Sequence, residues 1–342
     1  IAYAFVMAEE FTHLRKSKPV VLAAGLIWGM IAIAYSNTPH YEMVEHEIRH
    51  SFLEYTELAF FLLVAMTYIN ALEERNVFNS LKSWLIKNQF SYRQLFWITG
   101  VLAFFLSPLA DNLTTALVLC AVVVAVGSSS PKFVGLACVN IVVAANAGGA
   151  FSPFGDITTL MVWQAGQLDF LQFFALVIPS VVNYIIPASI MHFFVSDHKP
   201  DVAETSVTIK YGGKTIILLG LLTIVTAVSF HNFLHLPPVF GMMTGLAYLQ
   251  LYSFYIKISV KDIEEQKYDF FENVARVEWD TLLFFFGVIL SVGGLGFIGY
   301  LEYVSEFMYT DLGATTANVL VGILSAIAVS YTHLTLPTMI RV

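Results

Sequence analysis

Two short stretches place chargeable groups between apolar runs. Residues 107–115 read SPLADNLTT, and residues 146–159 read NAGGAFSPFGDITT. In each, an aspartate precedes a short apolar helix with two hydroxyls in its first turn: Asp111 before Thr114 and Thr115, Asp156 before Thr158 and Thr159. Such an aspartate caps a helix by accepting from its orphan N–H groups. Serine or threonine would cap as well, without a charge that costs about 2.5–3.5 kcal/mol at the centre of a membrane. Two charged caps at one depth therefore point to a binding site as well as to caps.

The surrounding residue types suit a hard cation, which takes oxygen ligands. Ser107, Asn112 and Asn146 add neutral oxygens, and Gly148, Gly149 and Gly155 are expected to unwind and free their carbonyls. No Lys or Arg occurs between Arg93 and Lys132 or between Lys132 and Lys199, so an anion finds no positive side chain in either stretch. Helix N-termini alone can still serve an anion. Desolvation raises the pKa of a buried carboxylate and a bound cation lowers it again. A carboxylate in such a place can hold either a proton or a metal ion, and exchanging one for the other in an alternating-access cycle gives antiport.

The elements that position these groups follow from composition. Hydrophobic residues make up 57% of the 342 and charged residues only 12%; the mean hydropathy is +0.73. Soluble domains carry about 25% charged residues, and runs of about 20 apolar residues span a bilayer. The chain reads as an all-α polytopic membrane protein, and its continuous apolar runs exclude a β-barrel. Apolar segments fall near 1–8, 19–36, 53–72, 94–106, 113–127, 133–147, 157–165, 170–195, 214–230, 237–256, 279–300 and 314–329. Lys and Arg concentrate in alternate loops, around 15–18, 75–93, 199–214 and 257–276, which assigns those loops to the cytoplasm.

That alternation holds if residues 94–165 cross an odd number of times. One solution is a re-entrant hairpin, 94–127, with its tip at SPLADN, followed by a broken transmembrane helix, 133–165, unwound at AGGAFSPFGD. The rival is three thin crossings. Either way, irregular backbone at that depth needs cover from protein or a water-filled cavity. Residues 56–72 (TELAFFLLVAMTYINAL) resemble 279–297 (WDTLLFFFGVILSVGGLGF), setting Glu57 against Asp280. With opposite entry of the following segments, this is the pattern of inverted-topology repeats, with a binding site at their interface. The organisation expected is a first repeat, 1–198, a cytoplasmic linker, 199–213, an incomplete second repeat, 214–329, and an atypical tail, 330–342.

The segments SPLADNLTTALV, NAGGAFSPFGDITTLMVW and LVAMTYINALEERNVF resemble the NhaD-type sodium/proton antiporters of the ion-transporter superfamily. The resemblance runs from the first apolar segment to about Ile327. It implies Na⁺ or Li⁺ exchanged for H⁺, in a bacterial inner membrane or a chloroplast envelope, without a cofactor. It carries functional roles onto Ser107, Asp111, Asn112, Asn146, Asp156, Thr158 and Thr159. The family would also show a second Asp-Asn tip beginning at Ser325, where this chain has Val329 and Ser330. About fifty further residues and the start of the first helix are therefore expected to belong to a longer sequence. The partners expected are the lipid bilayer, monovalent cations and protons, with a homodimer left open and no nucleic acid. A transporter of arsenite or of sodium-coupled carboxylates is the neighbouring alternative.

A different class of chemistry is suggested by His46-Glu47-Ile48-Arg49-His50, which fits the zinc-protease pattern H-E-x-x-H. It falls in a polar stretch taken as an external loop, 37–52, with no evident third ligand, so a solvated and pH-responsive helix cap through His50 is the plainer reading. Glu57 reads as an interfacial residue or as a carboxylate facing a cavity. Glu73, Glu74 and Arg75 read as an interfacial charge cluster, His192 as structural, Trp28, Trp97 and Trp279 as interface anchors, and Cys120 and Cys138 as packing residues.

Overall fold

The computed structural model describes residues 1–39, 41–88, 90–127, 130–199, 207–259 and 268–333. His40, Lys261, Lys267, part of the linker (200–206) and the tail from 334 lie outside them. In chain order the helices are α1 (Ala2–Met7), α2 (Glu9–Thr12), α3 (Ser17–Tyr35), α4 (Tyr41–Glu74), α5 (Val77–Lys87), α6 (Tyr92–Ala110), α7 (Asn112–Val126), α8 (Pro131–Gly149) and α9 (Ile157–Gln164). A 3-10 helix (Phe170–Leu176) leads into α10 (Val177–His192). Then follow α11 (Gly213–Leu234), α12 (Pro238–Ser259), α13 (Phe270–Ala275), α14 (Trp279–Phe297), α15 (Tyr300–Glu306) and α16 (Ala314–His333). Eight of these described elements are long and apolar enough to cross a membrane. The chain is an all-α, multi-pass membrane protein.

The described residues of Ile1–Leu62 and Glu278–Val342 form one compact unit. Its centre is the pairing of α3 with α14, whose backbones touch: a Cβ on Gly287 would lie 2.5 Å from the Val20 carbonyl carbon. Trp28 is not an interface anchor. It is buried, 5% exposed, and its indole N–H donates to the Leu290 carbonyl at 2.8 Å. Asp280, in the first turn of α14, accepts from the Ser17 hydroxyl at 2.5 Å. Glu57, its counterpart in the weak repeat, lies well inside α4, so the two stretches begin at different depths in their helices. The stretch 41–52 is likewise no loop. It forms the first turns of α4, where an Arg49–Glu45 pair at 2.7 Å supports polar turns that extend the apolar helix outward.

Residues Leu63–Val277 form the second unit. Helix α6 starts with a reciprocal capping box between Ser91 and Gln94, and Pro131 opens α8 at a position where its missing N–H costs nothing. Helices α6 and α7 are separated by a single residue, Asp111, and fold back on each other. Phe133 shows this. Its ring lies 4.4 Å from that of Tyr92 at the start of α6, and it also fills the space a Cβ on Gly127 would need at the end of α7. Both arms thus have their bases at one end and share the Asp111 tip. Both α6 and α8 run to 19 residues, longer than the 13–15 expected from hydropathy, because each helix continues into its polar segment. Phe96, Ala103, Ala137, Ile141, Ala144 and Ala145 fill the space between them with no exposed surface.

Glu73, Glu74 and Arg75 are more than an interfacial cluster. Arg75 is fully buried and pairs with Glu74 at 2.7 Å. Its guanidinium lies 5.0 Å over the Tyr268 ring, and Asn273 donates to the other Glu74 oxygen at 2.6 Å. Arg276 pairs with Glu73 at 3.1 Å.

Candidate functional site

The hairpin tip and the break after α8 meet within the second unit. Pro108 does not end α6, which continues to Ala110. It does remove the N–H that would have bonded the Phe104 carbonyl. That carbonyl is met by Gly148 of α8, where a Cβ would fall 2.1 Å from the oxygen. Two Ser-Pro pairs then interlock. The Ser107 hydroxyl, fully buried, donates to the Ala145 carbonyl at 2.6 Å. The Ser152 hydroxyl donates to the Pro108 carbonyl at 2.9 Å.

Gly148 and Gly149 are helical, contrary to the unwinding expected of them. The break begins at Ala150, and the Gly149 carbonyl already accepts from the Ser152 N–H at 3.3 Å. Their contribution is steric. A Cβ on Gly149 would lie 2.4 Å from the Gly155 oxygen, and one on Gly155 would lie 2.5 Å from the Gly149 Cα. Only two glycines allow the break to close this tightly.

At the tip, Asp111 holds φ 54° and ψ 159°, a region that costs a non-glycine residue about 1–3 kcal/mol. One of its oxygens accepts from the Thr114 N–H and the other from the Thr114 hydroxyl, both at 2.8 Å. Asp156, in ordinary extended backbone, repeats the pattern: Oδ1 accepts from the Thr158 N–H at 2.8 Å and from its hydroxyl at 2.7 Å. The Thr159 hydroxyl reaches the Ser152 and Asp156 carbonyls, each at 2.8 Å.

Asn112 joins the two halves. Its amide donates to Asp156 Oδ2 at 2.5 Å and to Asn146 Oδ1 at 2.8 Å, while the Asn146 amide is tied to the Val142 carbonyl at 2.9 Å. The carboxylates of Asp111 and Asp156 are half-buried, and Asn146 and Thr158 are exposed on the open side. Thr115 is buried, and its hydroxyl has no hydrogen-bond partner among the described residues. The fold therefore gathers Ser107, Asp111, Asn112, Thr114, Thr115, Asn146, Asp156, Thr158 and Thr159 around one junction. Sequence reasoning missed Ser152, although its Ser-Pro pair copies that at Ser107.

Of the other candidates, His46, His50 and Glu57 lie in the first unit, and Cys120 and Cys138 in the second. His46 and His50 are exposed on α4. His50 sits 3.6 Å from Glu54, and no group of three metal-ligating side chains occurs among the described residues. Glu57 is half-buried in the same helix. Cys120 and Cys138 are free thiols, in contact through Sγ and a carbonyl at 4.0 Å.

A family profile described as CitMHS, citrate transporter, matches residues 3–340. The Na(+)/H(+) antiporter NhaD of Vibrio cholerae is 53% identical over 96% of this chain and 73% of its own length. NhaD of Halomonas elongata is 50% identical over 95% of this chain and 70% of its own. Sodium/proton antiporter 1 of Arabidopsis thaliana is 31% identical over 96% of this chain and 56% of its own.

Proposed function

The chain belongs to the CitMHS citrate transporter family, on its NhaD sodium/proton antiporter side, and from that premise we propose that it exchanges Na⁺ or Li⁺ for H⁺ through Asp111 and Asp156. The activity is transport, not an enzymatic reaction. The observation that carries the site is the bond from Asn112 to Asp156: it couples a hairpin tip with one carboxylate to a broken helix with the other.

Each aspartate plays a double part. As a cap it satisfies the first N–H groups of α7 or α9, so it stays in place whether or not cargo is bound. As a carboxylate it is the hard, negatively charged ligand that a small cation takes from a site of neutral amide and hydroxyl oxygens. A proton and a cation then compete for one charge. Losing the proton exposes the carboxylate to Na⁺, and binding Na⁺ disfavours the proton's return. Asn112 ties the competition at Asp156 to the position of the hairpin. Ser107, Thr115, Asn146 and Thr159 hold the junction or supply its neutral oxygens.

A cargo of arsenite or carboxylate is less well suited, since the stretches around both aspartates contain no Lys or Arg. Residence in a bacterial inner membrane, with the Lys- and Arg-rich loops in the cytoplasm, is part of the same proposal, supported by the bacterial relatives and the charge pattern. So are the re-entrant placement of α6–α7 and the inverted repeat. A homodimer is an expectation, to be read from the mass of the purified protein. The test is antiport in acidified everted vesicles. Na⁺ or Li⁺ should release protons in the wild type and not in Asp111→Asn or Asp156→Asn; a wild-type response from either variant would remove that residue from the site.

A further inference from the structure

At its base, the hairpin is held by a side-chain bond that a proton can break. The Trp97 indole N–H, one turn into α6, donates to His192 Nδ1, at the end of α10, over 2.9 Å. The rings lie 6.0 Å apart, and His192 is partly exposed. An indole N–H can only donate, and a neutral imidazole has one donor and one acceptor nitrogen. With Nδ1 accepting, the ring proton belongs on Nε2. A second proton would turn Nδ1 into a donor facing another donor, and the bond could not persist. Histidine is the side chain whose charge changes between pH 5 and 8.

The neighbours of this bond are few. From α6, Arg93 donates to the Val195 carbonyl at 3.1 Å and lies 4.0 Å from Asp197, while the Tyr92 ring packs, tilted, against that of Phe133. From α8 come Lys132, exposed in the first turn, and Cys138, turned to Cys120. The 3-10 helix carries no charged residue. On α10 itself Tyr184 packs on Trp97, with ring centroids 6.3 Å apart. Beyond α10, Asp197 accepts from the Ser91 hydroxyl at 2.8 Å, the His198 carbonyl accepts from the Tyr92 N–H at 2.9 Å, and Lys199 is exposed. Apart from His192, these contacts do not depend on a group that titrates near neutrality, except through His198, which enters by its backbone.

We infer that Trp97–His192 is a pH-conditional clamp on the hairpin, closed when His192 is neutral and released when it is protonated, so that His192 acts as a positioning residue for the Asp111 tip. The inference rests on the reading of Asp111 and Asp156 as the exchanging pair. The sign follows from the donor count: the clamp, and the exchange rate it supports, is lost when His192 takes a second proton and restored when it gives that proton up.

Antiport measured in everted vesicles from pH 6 to 9 tests the clamp. Gln can accept from Trp97 at every pH, so His192→Gln should move the acid-side midpoint of activity down by about one pH unit. Trp97→Phe removes the donor and should lower activity at alkaline pH by about fivefold, the scale of one hydrogen bond. An unchanged midpoint in His192→Gln, or full alkaline activity in Trp97→Phe, overturns the inference. Should either variant insert poorly, a tryptophan fluorescence titration of the purified wild type decides. A pH-dependent transition that vanishes in Trp97→Phe is expected, and its absence from the wild type sinks the clamp. Failure of the site reading looks different, since Asp111→Asn would then exchange normally at all pH values.

Discussion

The amide of Asn112 donates to Asp156 Oδ2 although the two residues are 44 positions apart. One sits at the tip of the α6–α7 hairpin and the other caps the helix after the second break. A hydrogen bond to a charged acceptor contributes about 1.5–3 kcal/mol. Asn112→Ala should therefore raise the Na⁺ concentration for half-maximal proton release roughly tenfold or more. Asn112→Leu, close in volume but apolar, should do no better. A variant with wild-type Na⁺ dependence would show that the bond is incidental to exchange.

Asp111 separates two roles that coincide in one residue. Its positive φ costs about 1–3 kcal/mol, relieved by Asp111→Gly, while the lost cap costs only a few tenths with glycine. Glycine's extra chain entropy takes back roughly 0.5–1 kcal/mol. Asp111→Ala keeps the strain and loses the cap. Thermal unfolding of the purified variants should rank glycine above alanine by about 1 kcal/mol or more, although neither exchanges ions. Equal stability would mean that the surroundings do not enforce this backbone angle.

Gly149→Ala and Gly155→Ala should each force the break open, because the added carbon would meet backbone at 2.4–2.6 Å. Overpacking of this kind costs about 1–3 kcal/mol. Gly135→Ala, on the same helix but with nothing within 4 Å, is the control. Helix propensity favours it by about 1 kcal/mol. Unfolding temperatures should therefore move in opposite directions for the two ends of α8.

The pairing of buried Arg75 with half-buried Glu74 predicts non-additivity. Removing one partner of such a pair upsets the charge balance of the other and costs up to about 3–5 kcal/mol, whereas replacing both by apolar residues is often nearly neutral. Arg75→Met and Glu74→Leu should each cut the folded yield from detergent extracts sharply. The double variant should recover part of that loss, short of the Asn273 and Tyr268 contacts that the pair also makes. A double variant as poor as the sum of the singles would show that the two residues are not energetically coupled.

Much of this was legible from residue types alone. A chain with 12% charged residues cannot cover itself with a water-facing surface, so the membrane class followed from composition. The two aspartates stood out because charge in an apolar run is costly, and the cost is local. The helix starts at Asp111 and Asp156 followed too, since a cap bonds residues only two or three positions away. Where helices end within a polar stretch was harder to see: hydropathy placed 41–52 in a loop, yet ion pairs one turn apart carry α4 through it.

Other features depended on contacts that no local pattern encodes. Gly148 and Gly149 read as unwound because glycine permits it; that they are helical and serve close approach depends on Phe104 and Gly155 arriving against them. Arg75 read as interfacial from its neighbours in sequence, and its burial depends on Tyr268 and Asn273, nearly two hundred residues on. Asn112 could be named as a ligand type but not as the link to Asp156. The sequence by itself determined which groups are chargeable and that they lie in apolar helices, because solvation and capping act over a few residues. Only the tertiary structure decided which of them meet, because hydrogen bonds and backbone contacts act over a few ångströms whatever the separation along the chain.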